Sequence, residues 1–290
     1  FGFGRAMRVP RLGFLASADA RGGSAMPHTE STARRGLAAV LAAVLLTGLA
    51  VAARADTSPV PANDPANPET VSATALPTVQ INGVAWSQAI IGNTVYVGGS
   101  FTRAIPAGQP QNSASYTPRA NLLAYDIRTG ALISSWAPTT DGQVLTVEAA
   151  PDGSRVYVGG DFQVVNGVTQ RRIAALNPTT GALISGFNPS PNSRVRAIAI
   201  TPDVVYYGGS FTAVNTVPRD RLAATRISDG ALLNWAPAAS GGVWAMAVAP
   251  DLSKVVVGGQ FLTLNGSNDP GYGLGAVDAV TGATLPWEAN

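Results

Sequence analysis

Hydrophobic residues in this chain come in short blocks closed by turn dipeptides. A clear example starts with Val195 to Ile200, ended by the pair Pro202-Asp203. Val204 to Phe211 follows, then a polar loop through Asn215 and Pro218, then Arg221 to Ile227. Asp229-Gly230 turns the chain into a last block, Ala231 to Trp235. β-rich blocks of this length at regular spacing predict four short strands per unit, and no helix of useful length fits after residue 56. In the second strand of a unit, Val95-Tyr96-Val97 and Val255-Val256-Val257 are apolar on successive residues. A strand with one wet face would alternate, so these must be covered on both faces.

The unit recurs. Gly98-Gly99-Ser100-Phe101 returns as Gly159-Gly160-Asp161-Phe162, Gly208-Gly209-Ser210-Phe211 and Gly258-Gly259-Gln260-Phe261. The phenylalanines lie 61, 49 and 50 residues apart. Gly92-Asn93, Pro151-Asp152-Gly153, Pro202-Asp203 and Pro250-Asp251 occupy the first turn of successive copies. Thr129-Gly130, Thr180-Gly181, Asp229-Gly230 and Thr281-Gly282 occupy the last, and Trp136, Phe187, Trp235 and Trp287 close each copy. Four strands and about fifty residues per copy specify the blade of a β-propeller. The fold class expected is therefore all-β, a propeller of four-stranded blades over 79–138, 142–189, 193–237 and 241–290. Four blades are present in an array expected to continue, since repeat arrays need protected ends. The paired glycines allow a bulge or a close backbone approach, and the phenylalanines are expected to wedge between blades.

At these residues the chain resembles the delta-60 repeat β-propellers, a family of secreted bacterial repeat proteins. The second copy carries the resemblance most fully, through Gly159-Gly160-Asp161-Phe162, Asn166-Gly167, Arg171-Arg172-Ile173-Ala174-Ala175, Thr180-Gly181 and Phe187-Asn188-Pro189. The resemblance spans roughly 79–290 and implies a propeller exposed outside the cell. It brings no catalytic residues with it. The first copy departs from it with ten extra residues between Phe101 and Thr129-Gly130.

Charge changes the picture only once the chain is divided. The formal charge is +2 and the pI about 9.2, but seven of the 19 basic residues precede position 56, against two of the 17 acidic ones. The remainder holds 12 basic and 15 acidic residues, which removes the case for a nucleic-acid partner. Met26, Arg34-Arg35, the uncharged run from Gly36 to Ala53, and Ala53-Arg54-Ala55 together read as a signal sequence over 26–55, cleaved after Ala55. Residues 1–25 read as upstream sequence, and 56–77, with five prolines, as an extended linker. The implied location is secreted or cell-surface, with membrane contact only through an uncleaved signal segment. Cysteine is absent and His28 is the only histidine, so stability rests on packing. Past the leader there is no Ser-His-Asp or Cys-His nucleophile and no His- or thiolate-ligated metal. No cofactor is implied.

Candidate ligand residues come from two places. The long loop from Thr102 to Pro118 offers Gln109, Asn112 and Tyr116 for hydrogen bonding and sugar stacking. Arg172 and Arg221 share a slot nine residues before the turn glycine, filled by Asn121 and Gly273 in the outer copies, and Arg119 lies two places out of register. These arginines either bind an anion or glycan or bond the neighbouring blade. Asp152, Asp203 and Asp251 recur at one turn and read as turn chemistry rather than calcium ligands. Asp161, alone among the copies in its slot, reads as a solvated loop residue. Three function classes stay open: a binding or scaffolding module for an unidentified glycan or protein, a carboxylate-dependent glycan hydrolase or lyase, and a structural spacer of an envelope protein.

Overall fold

The computed structural model describes residues 77–268 and 271–286. The expected upstream segment, the signal sequence with its cleavage site, the linker up to residue 76, and Trp287 lie outside the described residues. Among the described residues every regular element is a strand, and no helix is long and apolar enough to cross a membrane.

Each repeat builds one antiparallel sheet whose middle member is the second strand. The first sheet is Val84–Ile91, Thr94–Ser100 and Leu122–Asp126, and the second is Val144–Ala149, Val156–Gly160 and Ile173–Leu176. The third is Val195–Ile200, Val204–Gly209 and Leu222–Arg226. The fourth adds a paired outer strand: Val243–Val248, Lys254–Gly259, Leu274–Asp278 and Thr284–Leu285. The fourth strand expected in every copy is thus a full strand only in the last. In the others it is reduced to single bridges, Tyr125 to Leu132, Leu176 to Leu183 and Thr225 to Leu232.

The first strands of successive repeats pack on one another, so the sheets meet along their first strands. Three apolar clusters fill the joints. Tyr96, Leu122 and Trp136 of the first repeat meet Val144, Val147 and Phe162 of the second. Tyr157, Ile173 and Phe187 meet Val195, Ile198 and Phe211, and Tyr206, Leu222 and Trp235 meet Val243, Val257 and Phe261. Each joint carries an edge-to-face aromatic pair with centroids 5.0 Å apart: Tyr96–Trp136, Tyr157–Phe187 and Tyr206–Trp235. The indoles also bond across, Trp136 Nε1 to the Asn177 carbonyl (3.1 Å) and Trp235 Nε1 to that of Asp278 (2.9 Å). Tyr96 and Tyr206 donate to the following carbonyls, Pro178 (2.9 Å) and Ala279 (2.8 Å). In the middle joint Arg155 Nη1 takes the equivalent carbonyl, Ile227, at 3.0 Å. One bonding pattern is kept with a substituted donor.

The two glycines of each pair have different jobs. The first strand bulges opposite them, with register shifts at Ala85/Ser87, Val144/Thr146, Val195/Ala197 and Val243/Ala245. A Cβ on the second glycine would strike the backbone carbonyl just before the bulge, 2.0 Å from Val84 O at Gly99, 2.2 Å from Gln143 O at Gly160 and 2.1 Å from Arg194 O at Gly209. A Cβ on the first glycine would instead strike the next repeat: Val144 and Val147 (both 2.5 Å) from Gly98, Val195 (2.7 Å) from Gly159, Val243 (2.6 Å) from Gly208. At Gly258 the nearest atoms are 3.7 Å away and belong to its own repeat. The matching flank positions Ala197 and Ala199 are buried in the third repeat, whereas Ala245 and Ala247 are exposed in the fourth.

Candidate binding groove

The segment read as a polar loop through Asn215 and Pro218 is a hairpin, Ala213–Val214 paired with Val217–Pro218, matched by Val164–Val165 with Val168–Thr169 in the second repeat. Each turns through two left-handed residues, Asn166-Gly167 (φ 50° and 79°) and Asn215-Thr216 (φ 49° and 70°), which is the twist that two-residue hairpins require. Asn or Gly adopts this conformation cheaply; a β-branched threonine does not. Thr216→Gly is expected to stabilise the chain by about 1 kcal/mol. A melting curve should show a rise of about 2–4 °C.

The slot shared by Asn121, Arg172, Arg221 and Gly273 is also left-handed in every repeat, with φ of 67°, 67°, 70° and 73°. Its N–H donates to the carbonyl of the repeat's phenylalanine, and its carbonyl accepts from the second glycine. The side chain then reaches outward. Asn121 Nδ2 donates to the carbonyls of Thr140 (3.1 Å) and Gly142 (3.0 Å), and Arg221 Nη1 to that of Ala239 (2.9 Å), both at the entry to the next repeat. Arg172 instead pairs with Asp161, which Arg194 of the third repeat also approaches at 3.3 Å. Asp161 is therefore a bridging anion between repeats, not the solvated loop residue its sequence context suggests.

Arg119 occupies a different position, equivalent to Gln170 and Arg219. It is 8% exposed, and its guanidinium donates to the carbonyls of Pro118 (2.8 Å) and Ser134 (3.2 Å). Burial lowers its pKa from the ordinary arginine value. Arg219 makes the same pair of bonds, to Pro118's counterpart Pro218 (2.8 Å) and to Leu233 (2.7 Å). In the first repeat the hairpin Arg103–Ile105 with Thr117–Pro118 carries the long loop, and Gln80–Ile81 joins its edge. Gln109 is held there through its backbone, its carbonyl accepting from Gln80 Nε2 at 3.0 Å, and Asn112 is exposed. Tyr116 is 41% exposed with the Arg103 guanidinium 4.4 Å above its ring.

Arg172 is the one of these residues that faces a cavity with other polar groups. A groove of about 670 Å³ lies where the hairpins of the second and third repeats approach, lined by Gln163, Arg171, Arg172, Ser190, Asn215 and Thr216 among others. Gln109, Asn112, Tyr116, Arg119 and Arg221 do not line it. Gln163 and Ser190, missed from the sequence, carry no repeat signature of their own, and Arg171 stood there only as part of a repeat motif. Thr216 did carry one, as the break in the Asn-Gly pattern of Asn166-Gly167 and Asn265-Gly266. The turn aspartates serve their own turns: Asp152 accepts from Ser154 N (3.0 Å), and Asp251 from Ser253 Oγ (2.8 Å) and Ser253 N (3.1 Å), hydrogen bonds that hold both carboxyls below the usual range. Among the described residues no cluster of three or more His, Cys, Asp or Glu is placed to hold a metal ion.

Residues 150–183 match the family model described as "Domain of unknown function (DUF5122) beta-propeller". The matched stretch lies within the second repeat and agrees with the resemblance seen in its Gly-Gly-x-Phe and Asn-Gly elements. Among solved structures, the chain is similar to the computationally designed Ika4 protein, at 15% identity and TM-score 0.46, covering 72% of this chain and 99% of that one. It is also similar to the Pan2 WD40 domain of Neurospora crassa, at 9% identity and TM-score 0.40, covering 70% and 53%. No curated protein matches the chain.

Proposed function

We propose that the repeats are four successive blades of a propeller, nominally four-stranded, and that this propeller is a secreted or cell-surface binding and scaffolding module for a glycan or a protein. The observation that carries the reading is the groove between the second and third repeats. It is polar and concave, and framed by two hairpins fixed through hydrogen bonds to their neighbours. The signal sequence and linker read over 26–77 support the location.

A second reading, a carboxylate-dependent glycan hydrolase or lyase, draws on Glu148 in the first strand of the second repeat. Glu148 is exposed at the surface, and desolvation by the strands around it raises its carboxyl above the ordinary glutamate value, the direction a general acid needs. The test is an array of glycans together with turnover assays on polysaccharides. Binding without turnover supports the module. Turnover abolished by Glu148→Gln supports the enzyme. Neither binding nor turnover, with no protein captured either, leaves the spacer.

A further inference from the structure

We infer that the groove between the second and third repeats is a subsite for a hexuronate, with the sugar carboxylate on Arg171 and ring hydroxyls on Gln163, Ser190 and Asn215. The inference rests on the binding-module reading and names its ligand chemistry.

Three guanidiniums stand near the groove, but Arg172 and Arg194 share Asp161. Arg171 is exposed, lines the groove, and has no ion pair or hydrogen bond from its side chain among the described residues. Arg171 is therefore the guanidinium of the three with no partner, while Asp161 offsets only one of the other two. Its planar fork of donors matches the two oxygens of a carboxylate.

Neutral donors surround that charge. Asn215 spends its Oδ1 on Ser190 N (2.8 Å), but its Nδ2 makes no bond within the described residues. The equivalent amides of Asn166 and Asn265 are used, donating to Gly181 O and Gly282 O at 2.9 Å each. The Gln163 side-chain amide and the Ser190 hydroxyl, on the same groove, are likewise uncommitted. One anion site ringed by amides and a hydroxyl suits an acidic sugar, each hydroxyl of which both donates and accepts. No aromatic side chain lines the groove, so it offers a neutral sugar or a nucleobase no stacking surface, and charge must supply the affinity. A volume of about 670 Å³ accommodates one or two sugar residues.

Backbone strain points to the same place at one residue: Thr216 lines the groove in a left-handed conformation where sister repeats carry Gly167 or Gly266. Strained residues of this kind collect at ligand sites.

The test is calorimetric titration of the folded chain with glucuronate and digalacturonate, with glucose and sulfate as controls. Both uronates should bind, glucose should not, and Arg171→Gln should weaken uronate binding about tenfold or more without moving the melting temperature. Gln163→Ala should weaken it by a smaller factor. Absence of uronate binding, unchanged binding by Arg171→Gln, or sulfate binding as tightly as uronate would each overturn the inference. If uronates fail while another glycan or a protein binds, the module stands and only this subsite falls.

Discussion

Gly160→Ala is expected to lower stability by about 3 kcal/mol or more, a fall of about 6–12 °C in melting temperature for a domain of this size. The added Cβ would lie 2.2 Å from the Gln143 carbonyl oxygen and 3.0 Å from Val144 Cα. Both are backbone atoms of the bulged first strand, so no rotamer change relieves the clash; the bulge itself must move. Moving it separates Val144 and Val147 from Gly98 and opens the joint with the first repeat. The φ of Gly160 is not left-handed, so the loss measures closeness of approach rather than conformational strain. Gly186→Ala is the control, since a Cβ there meets nothing within 4 Å and the melting temperature should hardly move.

Phe162→Ala is expected to cost about 3–5 kcal/mol, read as a loss of denaturation midpoint or a partly unfolded chain at ambient temperature. The ring is fully buried and lies in the cluster that joins Tyr96, Leu122 and Trp136 of one repeat to Val144 and Val165 of the next. Removing it leaves a cavity walled by two sheets, neither of which can collapse without losing its own register. Phe101, at the same repeat position, packs in a cluster drawn from its own repeat, with Val95, Val97, Ala104 and Leu123. Phe101→Ala should therefore cost less than Phe162→Ala, although the two residues are similarly buried.

The repeat and its strands were legible because they rest on local chemistry. Turn pairs such as Asp229-Gly230 and apolar runs such as Val255-Val256-Val257 name their own conformation. Recurrence placed Phe162, Phe211 and Phe261 between repeats, whereas Phe101, at the same repeat position, packs within its own. What could not be read was anything decided between repeats. The left-handed slot looked like a coincidence of Asn121, Arg172, Arg221 and Gly273, because an arginine at positive φ carries no sequence mark; only the shared φ explains why glycine and asparagine serve there too. Arg119 looked like a shifted member of that slot, and its bonds to Pro118 and Ser134 show a different position with a different task. Asp161 drew its partners from Arg172 and from Arg194 thirty-odd residues away, a pairing that no local pattern encodes. The groove is the same kind of object: its lining comes from two repeats, and its distinguishing feature is which donors are left over.

The central claim is that each sheet hides its flank against the first strand of the next, through the first glycine of each pair. Alanine substitution of Gly98, Gly159, Gly208 and Gly258, one at a time, with thermal unfolding of each, tests it most directly. The expected result is a loss of about 1–3 kcal/mol at the first three, where a Cβ meets the next repeat within 2.7 Å. At Gly258, with nothing nearer than 3.7 Å, the change should be near zero or slightly stabilising. Four equal losses, or full tolerance at Gly98, Gly159 and Gly208, would contradict this account of how the repeats are joined.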